Sequence, residues 1–276
     1  MSRTIVVVPC YNEARRLNLP AIQDFARRTE RVELLFVDDG SRDETFELVD
    51  HLERVNAGRF SCLRLAVNCG KAEAVRQGVL TAIGRGAEYV GYWDADLATP
   101  LADIESFARV LDARPTVELV VGTRMRLLGH RIERHPLRYA LGRVFATTAS
   151  CALGMRIFDT QCGAKLFRVT PVTAALFDQP FSTRWIFDVE LMARMKLARR
   201  TAVMPAAREA IYELPLDAWR DVRGSSVKSG DFVKAVGELA RIYWTYLRPG
   251  APCPRYLATT RPVAANAAAG GQQRAA

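Results

Sequence analysis

Thr4-Ile5-Val6-Val7-Val8 is an unbroken β-branched run, apolar from Ile5, that stops at Pro9-Cys10-Tyr11-Asn12-Glu13. Such side chains suit a pleated strand, and a run apolar on both faces predicts a buried parallel strand. The pattern repeats along the chain. Residues 19–28 read as a helix, and Val32–Val37 as a strand closed by Asp38-Asp39-Gly40-Ser41. Asp43–Val55 places Phe46, Val49, Leu52 and Val55 on one helical stripe. Phe60–Val67 is a strand, Lys71–Ile83 a helix, and Tyr89–Trp93 a strand ending in Asp94-Ala95-Asp96. Pro100 starts a helix continued by Ile104, Phe107 and Leu111, and Val117–Val121 closes at Gly122-Thr123-Arg124. Five alternations of strand and helix predict an α/β fold, a Rossmann-like, mostly parallel sheet covered by helices on both faces. Ligands of such sheets bind beyond the carboxyl ends of the strands, and here every strand end is polar.

After residue 124 the alternation breaks. Residues 136–157 read as a helix with Leu137, Leu141, Val144, Thr148, Cys151 and Met155 on one face. A segment Asp159–Arg168, a short helix after Pro171 and a helix over Arg184–Ala198 follow. Short strands are expected near Thr201–Met204 and Glu209–Leu214, then a loop at Arg223–Lys228. Asp231–Leu247 reads as an amphipathic helix, and residues 249–276, rich in Pro, Ala and Gly, as a disordered tail. The expected organisation is one domain over 1–230, with halves 1–124 and 125–230, then the amphipathic helix 231–248.

The chain has 276 residues, with 39 Lys+Arg against 30 Asp+Glu, for a formal charge of +9. Apolar residues make up 49% and charged residues 25%, which excludes wholesale disorder. The six cysteines form no Cys-x-x-Cys pair, which argues against a zinc ribbon or a disulfide scaffold. No run of 18 apolar residues occurs, and the N-terminus lacks a signal-peptide pattern. The positive excess fits an anionic partner, and Arg124, Arg126, Arg131, Arg134, Arg138 and Arg143 concentrate it. Aromatic residues do not interleave there as a single-strand nucleic-acid platform requires, so nucleic acid is not expected. A Gly-x-Gly-x-x-Gly after the first strand is absent, which removes a dinucleotide oxidoreductase.

Asp94 and Asp96 stand two apart at a strand end and so share one side. Two such carboxylates repel unless a cation lies between them, and Mg²⁺ or Mn²⁺ prefers that donor set together with a substrate phosphate. Acids before Pro100 also suit a helix cap, but their place after the fourth strand favours the metal. Asp38-Asp39-Gly40-Ser41 is explained in part by a tight turn and a helix cap, though a turn does not require two acids. Lys71 opens a helix, where an anion would compensate its unfavourable charge, and an exposed loop lysine is the plainer alternative. Asp159-Thr160-Gln161-Cys162-Gly163-Ala164-Lys165 is neither periodic core nor a simple turn, and Cys162, without a linked histidine, reads as a packing residue. Asp188 and Glu190 lie two apart at a helix start.

In order, Val8-Pro9-Cys10-Tyr11-Asn12-Glu13, Asp38-Asp39-Gly40-Ser41, Asn68-Cys69-Gly70-Lys71 and Asp94-Ala95-Asp96 resemble the inverting nucleotide-sugar glycosyltransferases of family two, which have a GT-A fold. The likeness runs from Val6 to about Lys228. Asp159-Thr160-Gln161-Cys162-Gly163 with Lys165-Leu166-Phe167, Trp185 with Phe187-Asp188-Val189-Glu190, and Trp219-Arg220-Asp221-Val222 with Gly224-Ser225 are similar to the dolichyl-phosphate β-glucosyltransferase branch. Three departures matter. Ala72 stands where the family places a second Gly, Ala98 stands where mannosyl relatives carry Gln, and the Gln-x-x-Arg-Trp block of processive synthases is absent. The membrane anchor of the eukaryotic branch is not expected here.

The resemblance implies metal-dependent transfer of a hexose from a nucleotide diphosphate sugar, foremost UDP-glucose, to a polyprenyl phosphate with inversion. Pro9, Tyr11, Glu13 and Asp39 would hold the base and ribose, with Asn12 and Asp38 also counted in the nucleotide-sugar site. Asp94, Ala95 and Asp96 would hold the diphosphate, with Mg²⁺ or Mn²⁺ on the two acids. Lys71 and Arg124 would meet phosphate oxygens, and Arg138, Arg143, Ser225 and Lys228 the acceptor phosphate. Asp94, Asp96 and Asp159 are the catalytic candidates, Asp159 as an orienting group or base. A saccharide hydroxyl acceptor and a GDP-mannose donor are the alternatives. A lipid acceptor implies a cytoplasmic protein lying on the inner face of the membrane.

Overall fold

A computed structural model describes residues 3–133, 136–202, 204–221 and 229–258. The first half alternates as its sequence requires: β1 (Thr4–Cys10), α1 (Leu19–Arg28), β2 (Val32–Asp38), α2 (Thr45–Val55), β3 (Phe60–Arg64), α3 (Lys71–Gly84), β4 (Tyr89–Trp93), α4 (Asp103–Ala113) and β5 (Leu119–Thr123). There follow β6 (Arg131–Glu133), α5 (Pro136–Leu153), β7 (Ala164–Arg168), α6 (Pro171–Asp178), α7 (Phe187–Thr201) and α8 (Ala207–Ala210). β8 (Ile211–Pro215), β9 (Ala218–Arg220), α9 (Ser229–Ile242), a π-helical turn over Tyr243–Leu247 and α10 (Arg255–Ala258) complete the order.

Seven strands form one sheet in the order β3-β2-β1-β4-β7-β5-β8. All neighbours pair in parallel except β7, which runs antiparallel between β4 and β5. That insertion joins residues 1–124 and 125–230 in a single sheet. β6 and β9 make a small parallel pair.

Alternate side chains of β1 and β2 point to opposite layers, as strand geometry dictates. Val6, Val8, Leu34 and Phe36 pack under α1, α2 and α4 through Ile22, Phe25, Val49, Leu52, Ile104 and Phe107. Ile5, Val7, Leu35 and Val37 pack in the other layer with Val75 and Val79 of α3 and residues of α5, α6, α7 and α9.

Four expectations change. The Asp159–Arg168 segment contains a strand. Thr201–Met204 is not one, because α7 runs on through Thr201. The helix expected to 157 stops at Leu153, where Gly154 takes φ +61 and its N–H and that of Met155 return to Cys151 and Ser150 carbonyls. That is a glycine-terminated Schellman end. Its Leu141, Val144, Thr148 and Cys151 stripe faces outward, and Phe145, Ala149 and Leu153 face the core. Finally, residues 249–258, expected within the tail, pack on the body: Ala251 and Leu257 are buried, and the Tyr256 hydroxyl meets that of Tyr246. Residues 259–276 lie outside the described set.

Candidate active site

The carboxyl ends of β1, β2 and β4 converge with the N-terminus of α3. β1 hands over to Asn12, in left-handed backbone at φ +53. Its N–H donates to Ser41 Oγ at 3.0 Å, and its Oδ1 accepts from Arg42 N–H at 2.9 Å. The Glu13 N–H donates to Thr45 Oγ1 at 2.8 Å, so the two loops are stitched together. Pro9 is half-buried in β1, and Tyr11 is exposed beside it.

At the end of β4, Asp94 accepts a hydrogen bond from Lys71 Nζ at 2.5 Å. Asp96 Oδ1 accepts from the Ala98 N–H at 3.1 Å, and its Oδ2 lies 3.6 Å from Arg16 Nη2. Arg16 also pairs with Glu13 Oε1 at 3.1 Å. Three carboxylates, Glu13, Asp94 and Asp96, therefore crowd two cations, Lys71 and Arg16. Burial raises the Asp96 pKa, and the Asp94 charge adds to it. Burial likewise raises Glu13, opposed by Arg16 and reinforced by Asp96. Burial alone would lower Lys71, but Asp94, Asp188 and Asp96 outweigh it and raise its pKa.

This is a site short of positive charge. Asp94 and Asp96 offer hard oxygen donors, and among the described residues no group of three His, Cys, Asp or Glu is arranged to enclose a metal alone. A two-carboxylate set fits Mg²⁺ or Mn²⁺, which fill their remaining positions with water and phosphate. Ala95 is buried between the two acids. Gly163, at the start of β7, is what lets Asp94 sit here: a Cβ on it would fall 1.9 Å from Asp94 Oδ2.

Asp38 and Asp39 do not face a cleft as expected. Asp38 is fully buried, accepts from the Ser41 N–H at 3.2 Å and lies 3.5 Å from Arg64 Nε. Asp39, 2% exposed, accepts from the Cys69 and Gly70 N–H groups at 2.8 Å each and from Asn68 Nδ2 at 2.9 Å. Its carboxylate builds the loop that starts α3. A buried carboxylate needs such donors, and the backbone supplies them.

Arg124 and Asp159 also depart from expectation. Arg124 Nε and Nη2 donate to the two Asp159 oxygens at 2.6 and 2.8 Å, a largely buried bidentate pair whose side chains are 13% and 8% exposed. Trp219 stacks on the guanidinium, 5.2 Å from ring centre to carbon. Arg124 is thereby neutralised, and Asp159 is held as its counter-ion. Lys165, fully buried, donates to the Thr160 and Cys162 carbonyls and to Asp188 Oδ1 at 2.6 Å. The same Asp188 oxygen accepts from the Tyr92 hydroxyl at 2.5 Å. Glu190 is buried against Arg194 at 2.8 Å and accepts from Ser182, Thr183 and the Tyr246 hydroxyl. Cys162 is buried with its thiol pushed up to about 11, chiefly by that burial, and is a packing residue.

Arg143 donates to the Phe158 carbonyl at 2.5 Å and stacks on its ring. Arg138 lies on α5, and its side chain is outside the described set, as are Ser225 and Lys228. Sequence reasoning did not single out Arg16, Lys165, Gly163 or Arg184 as charge or space partners. Only Gly163 and Lys165 carried a signal, in the aperiodic block after Asp159.

The sequence model of the family "Glycosyl transferase family 2" matches residues 5–174. The dolichyl-phosphate beta-glucosyltransferase of Saccharomyces cerevisiae is 31% identical over 266 residues, covering 88% of this chain and 74% of that protein. The Homo sapiens protein of the same name is 31% identical over 240 residues, 80% of this chain and 68% of that one. Among solved structures, glucosyl-3-phosphoglycerate synthase from Mycobacterium tuberculosis, in complex with Mn²⁺, UDP and glucosyl-3-phosphoglycerate, superposes with a TM-score of 0.60 at 18% identity. The match covers 87% of this chain and 80% of that one, and it shows a shared GT-A fold. Family match, relatives and fold agree: the chain belongs to glycosyl transferase family 2 and is a glycosyltransferase.

Proposed function

We infer that this glycosyltransferase moves a glucosyl unit from UDP-glucose to a polyprenyl phosphate of the dolichyl type, with inversion at the anomeric carbon. The names of its relatives near 30% identity support the sugar and the acceptor. The fold neighbours solved with UDP-glucose and Mn²⁺ support the donor and the metal.

The single observation that carries the acceptor class is the state of the candidate bases. A hydroxyl acceptor needs a general base to take its proton. Asp159 is locked onto Arg124, and Asp188 onto Lys165 and Tyr92. A phosphate acceptor, with a second pKa of about 6, is already largely ionised at neutral pH and needs no base. Positioning and charge then do most of the catalysis.

Asp94 and Asp96 would hold the divalent ion, which when bound neutralises the leaving diphosphate. Lys71, which donates to Asp94 at the N-terminus of α3, would meet the donor phosphates. Asp39 holds the 68–70 loop that presents Lys71, and Asn12 and Glu13 tie the first loop to the second. Tyr11 and Pro9 line the nucleoside end. The arginine-rich segment through Arg138 and Arg143, with Ser225 and Lys228, is the proposed acceptor-phosphate side.

No helix among the described residues is long and apolar enough to cross a membrane. Leu141 and Val144 on α5, and Val236 and Trp244 at the C-terminal end, nevertheless point outward. We read them as the face on which the protein lies at the inner leaflet to reach its acceptor.

A transfer screen tests this reading. UDP-glucose and GDP-mannose are offered with a short polyprenyl phosphate or free sugars, with Mg²⁺, Mn²⁺ or chelator. Transfer from UDP-glucose to the lipid phosphate, lost in chelator and in Asp96→Asn, is expected. Preference for GDP-mannose, or for a sugar hydroxyl, would overturn it.

A further inference from the structure

Residues 229–258 lie beyond the family match at 5–174, yet they hold the segment that carries Arg184. Glu238 of α9 accepts from three successive backbone N–H groups: Arg184 on Oε1 at 3.1 Å, and Trp185 and Ile186 on Oε2 at 3.1 and 3.0 Å. Arg241, one turn on, donates to the Ser182 carbonyl at 3.0 Å. One helix thus fixes the backbone from 182 to 186. The groups it satisfies precede α7, whose own N-cap residue, Ile186, offers no side-chain cap. A carboxylate on such free N–H groups is favourable in itself.

A cap alone does not explain where Arg184 points. Its guanidinium stands over Gly70, such that a Cβ on Gly70 would lie 3.1 Å from Nη2. Gly70 takes φ +93, its N–H is held by Asp39, and the next residue is Lys71, which reaches Asp94. Arg184 is exposed and close enough to Asp39 to favour its charged form. Among the described residues its guanidinium has no hydrogen-bonded or ion-paired partner. An exposed, unneutralised guanidinium over the glycine that starts α3, beside the lysine and the acid pair, suits a phosphate.

We propose that Glu238 is a positioning residue for glycosyl transfer: by clamping the backbone of Arg184–Ile186 it holds the Arg184 guanidinium over Gly70, where it binds a phosphate of the nucleotide diphosphate. The proposal rests on the donor site described above.

The test is calorimetric titration of the full chain with UDP, and separately with uridine, in Mn²⁺. Arg184→Ala is expected to weaken UDP about tenfold, the loss of one hydrogen bond to a charged group, and to leave uridine within about twofold. Glu238→Ala should show the same selective loss although Arg184 is intact, and Glu238→Gln, which keeps one acceptor oxygen, should recover part of it. The double variant should bind UDP no more weakly than Arg184→Ala, because both act through one contact. Losses that multiply to about a hundredfold would overturn the coupling. A Glu238→Ala protein that melts earlier but keeps full UDP affinity would reduce Glu238 to a helix cap. If Glu238→Ala fails to fold, Glu238→Gln and the exposed Arg184→Ala carry the same test. Wild-type protein that binds uridine and UDP equally would remove the phosphate contact while leaving the nucleoside site. Binding of neither would overturn the donor reading, and this proposal with it.

Discussion

Gly163→Ala is expected to lower transfer about a hundredfold while leaving a folded protein. A Cβ on Gly163 would lie 1.9 Å from Asp94 Oδ2, 2.2 Å from its Cγ and 2.5 Å from Oδ1. Rotation of the carboxylate about its last bond moves the two oxygens but not Cγ. Since Cγ itself is more than 1 Å too close by ordinary carbon contact distances of about 3.5 Å, the Asp94 side chain must leave its rotamer. That breaks the 2.5 Å bond from Lys71 and separates Asp94 from Asp96. A displacement of about 1 Å at reacting groups costs on the order of 10²-fold in rate. The cost in stability is that of an overpacked site, about 1–3 kcal/mol, which a chain of this size survives. The assay is transfer from UDP-glucose to a polyprenyl phosphate with a metal titration, alongside a thermal melt. Gly237→Ala is the control: among the described residues a Cβ there meets nothing within 4 Å, and a helical Gly→Ala change stabilises by about 0.5–1 kcal/mol. A Gly163→Ala enzyme within about threefold of wild type, with unchanged metal dependence, would refute the role given to this contact.

Three further outcomes are expected. Burial, helped by the charge of Asp217, raises the Asp103 carboxyl to about 6, and one of its oxygens is buried without a partner among the described residues. A raised carboxyl favours the folded state below its ordinary range and loses that contribution as pH rises through about 6. Asp103→Asn should therefore raise the melting temperature above pH 6 and give no gain near pH 4, and an equal gain at both would refute the burial argument. Glu190→Ala leaves Arg194 buried and charged, so it should cost about 3–5 kcal/mol in a denaturant titration, and a loss below 1 kcal/mol would show that the carbonyls of Leu176, Gln179 and Pro180 suffice. The protein should sediment with anionic vesicles at low salt, less so at high salt, and Val144→Ser with Trp244→Ser should abolish this. A protein left in the supernatant under every condition would make these side chains ordinary surface.

The first half of the fold is legible because its strands are short apolar runs and its helices carry single stripes, so local pattern and final layer agree. β7 is hidden because Lys165 interrupts it. A lysine in the middle of a strand predicts exposure, and only the approach of Asp188 and Tyr92, 23 and 73 residues away in the chain, makes its burial tolerable. Asp94 and Asp96 are legible as a pair because strand periodicity alone puts them on one side. The partners of Asp39 and Asp159 are not, since they are chosen by loops about thirty residues distant. An acid at a strand end reads the same whether it faces a ligand or holds a loop.

The position of Glu238 and Tyr246 bears on where the catalytic unit ends. The sequence suggests a domain closing near residue 230, followed by an amphipathic helix. In the fold that helix has two jobs on two faces. Val236 and Trp244 point out, while Leu239 and Ile242 are buried and Glu238 and Tyr246 bond to the segment that carries Arg184, Asp188 and Glu190. Removing residues 231–258 would leave three N–H groups before α7 without their acceptor and take the Tyr246 hydroxyl from the buried Glu190. The C-terminal helix thus holds the segment before and within α7 by three separate contacts, from Glu238, Arg241 and Tyr246, while Val236 and Trp244 face outward.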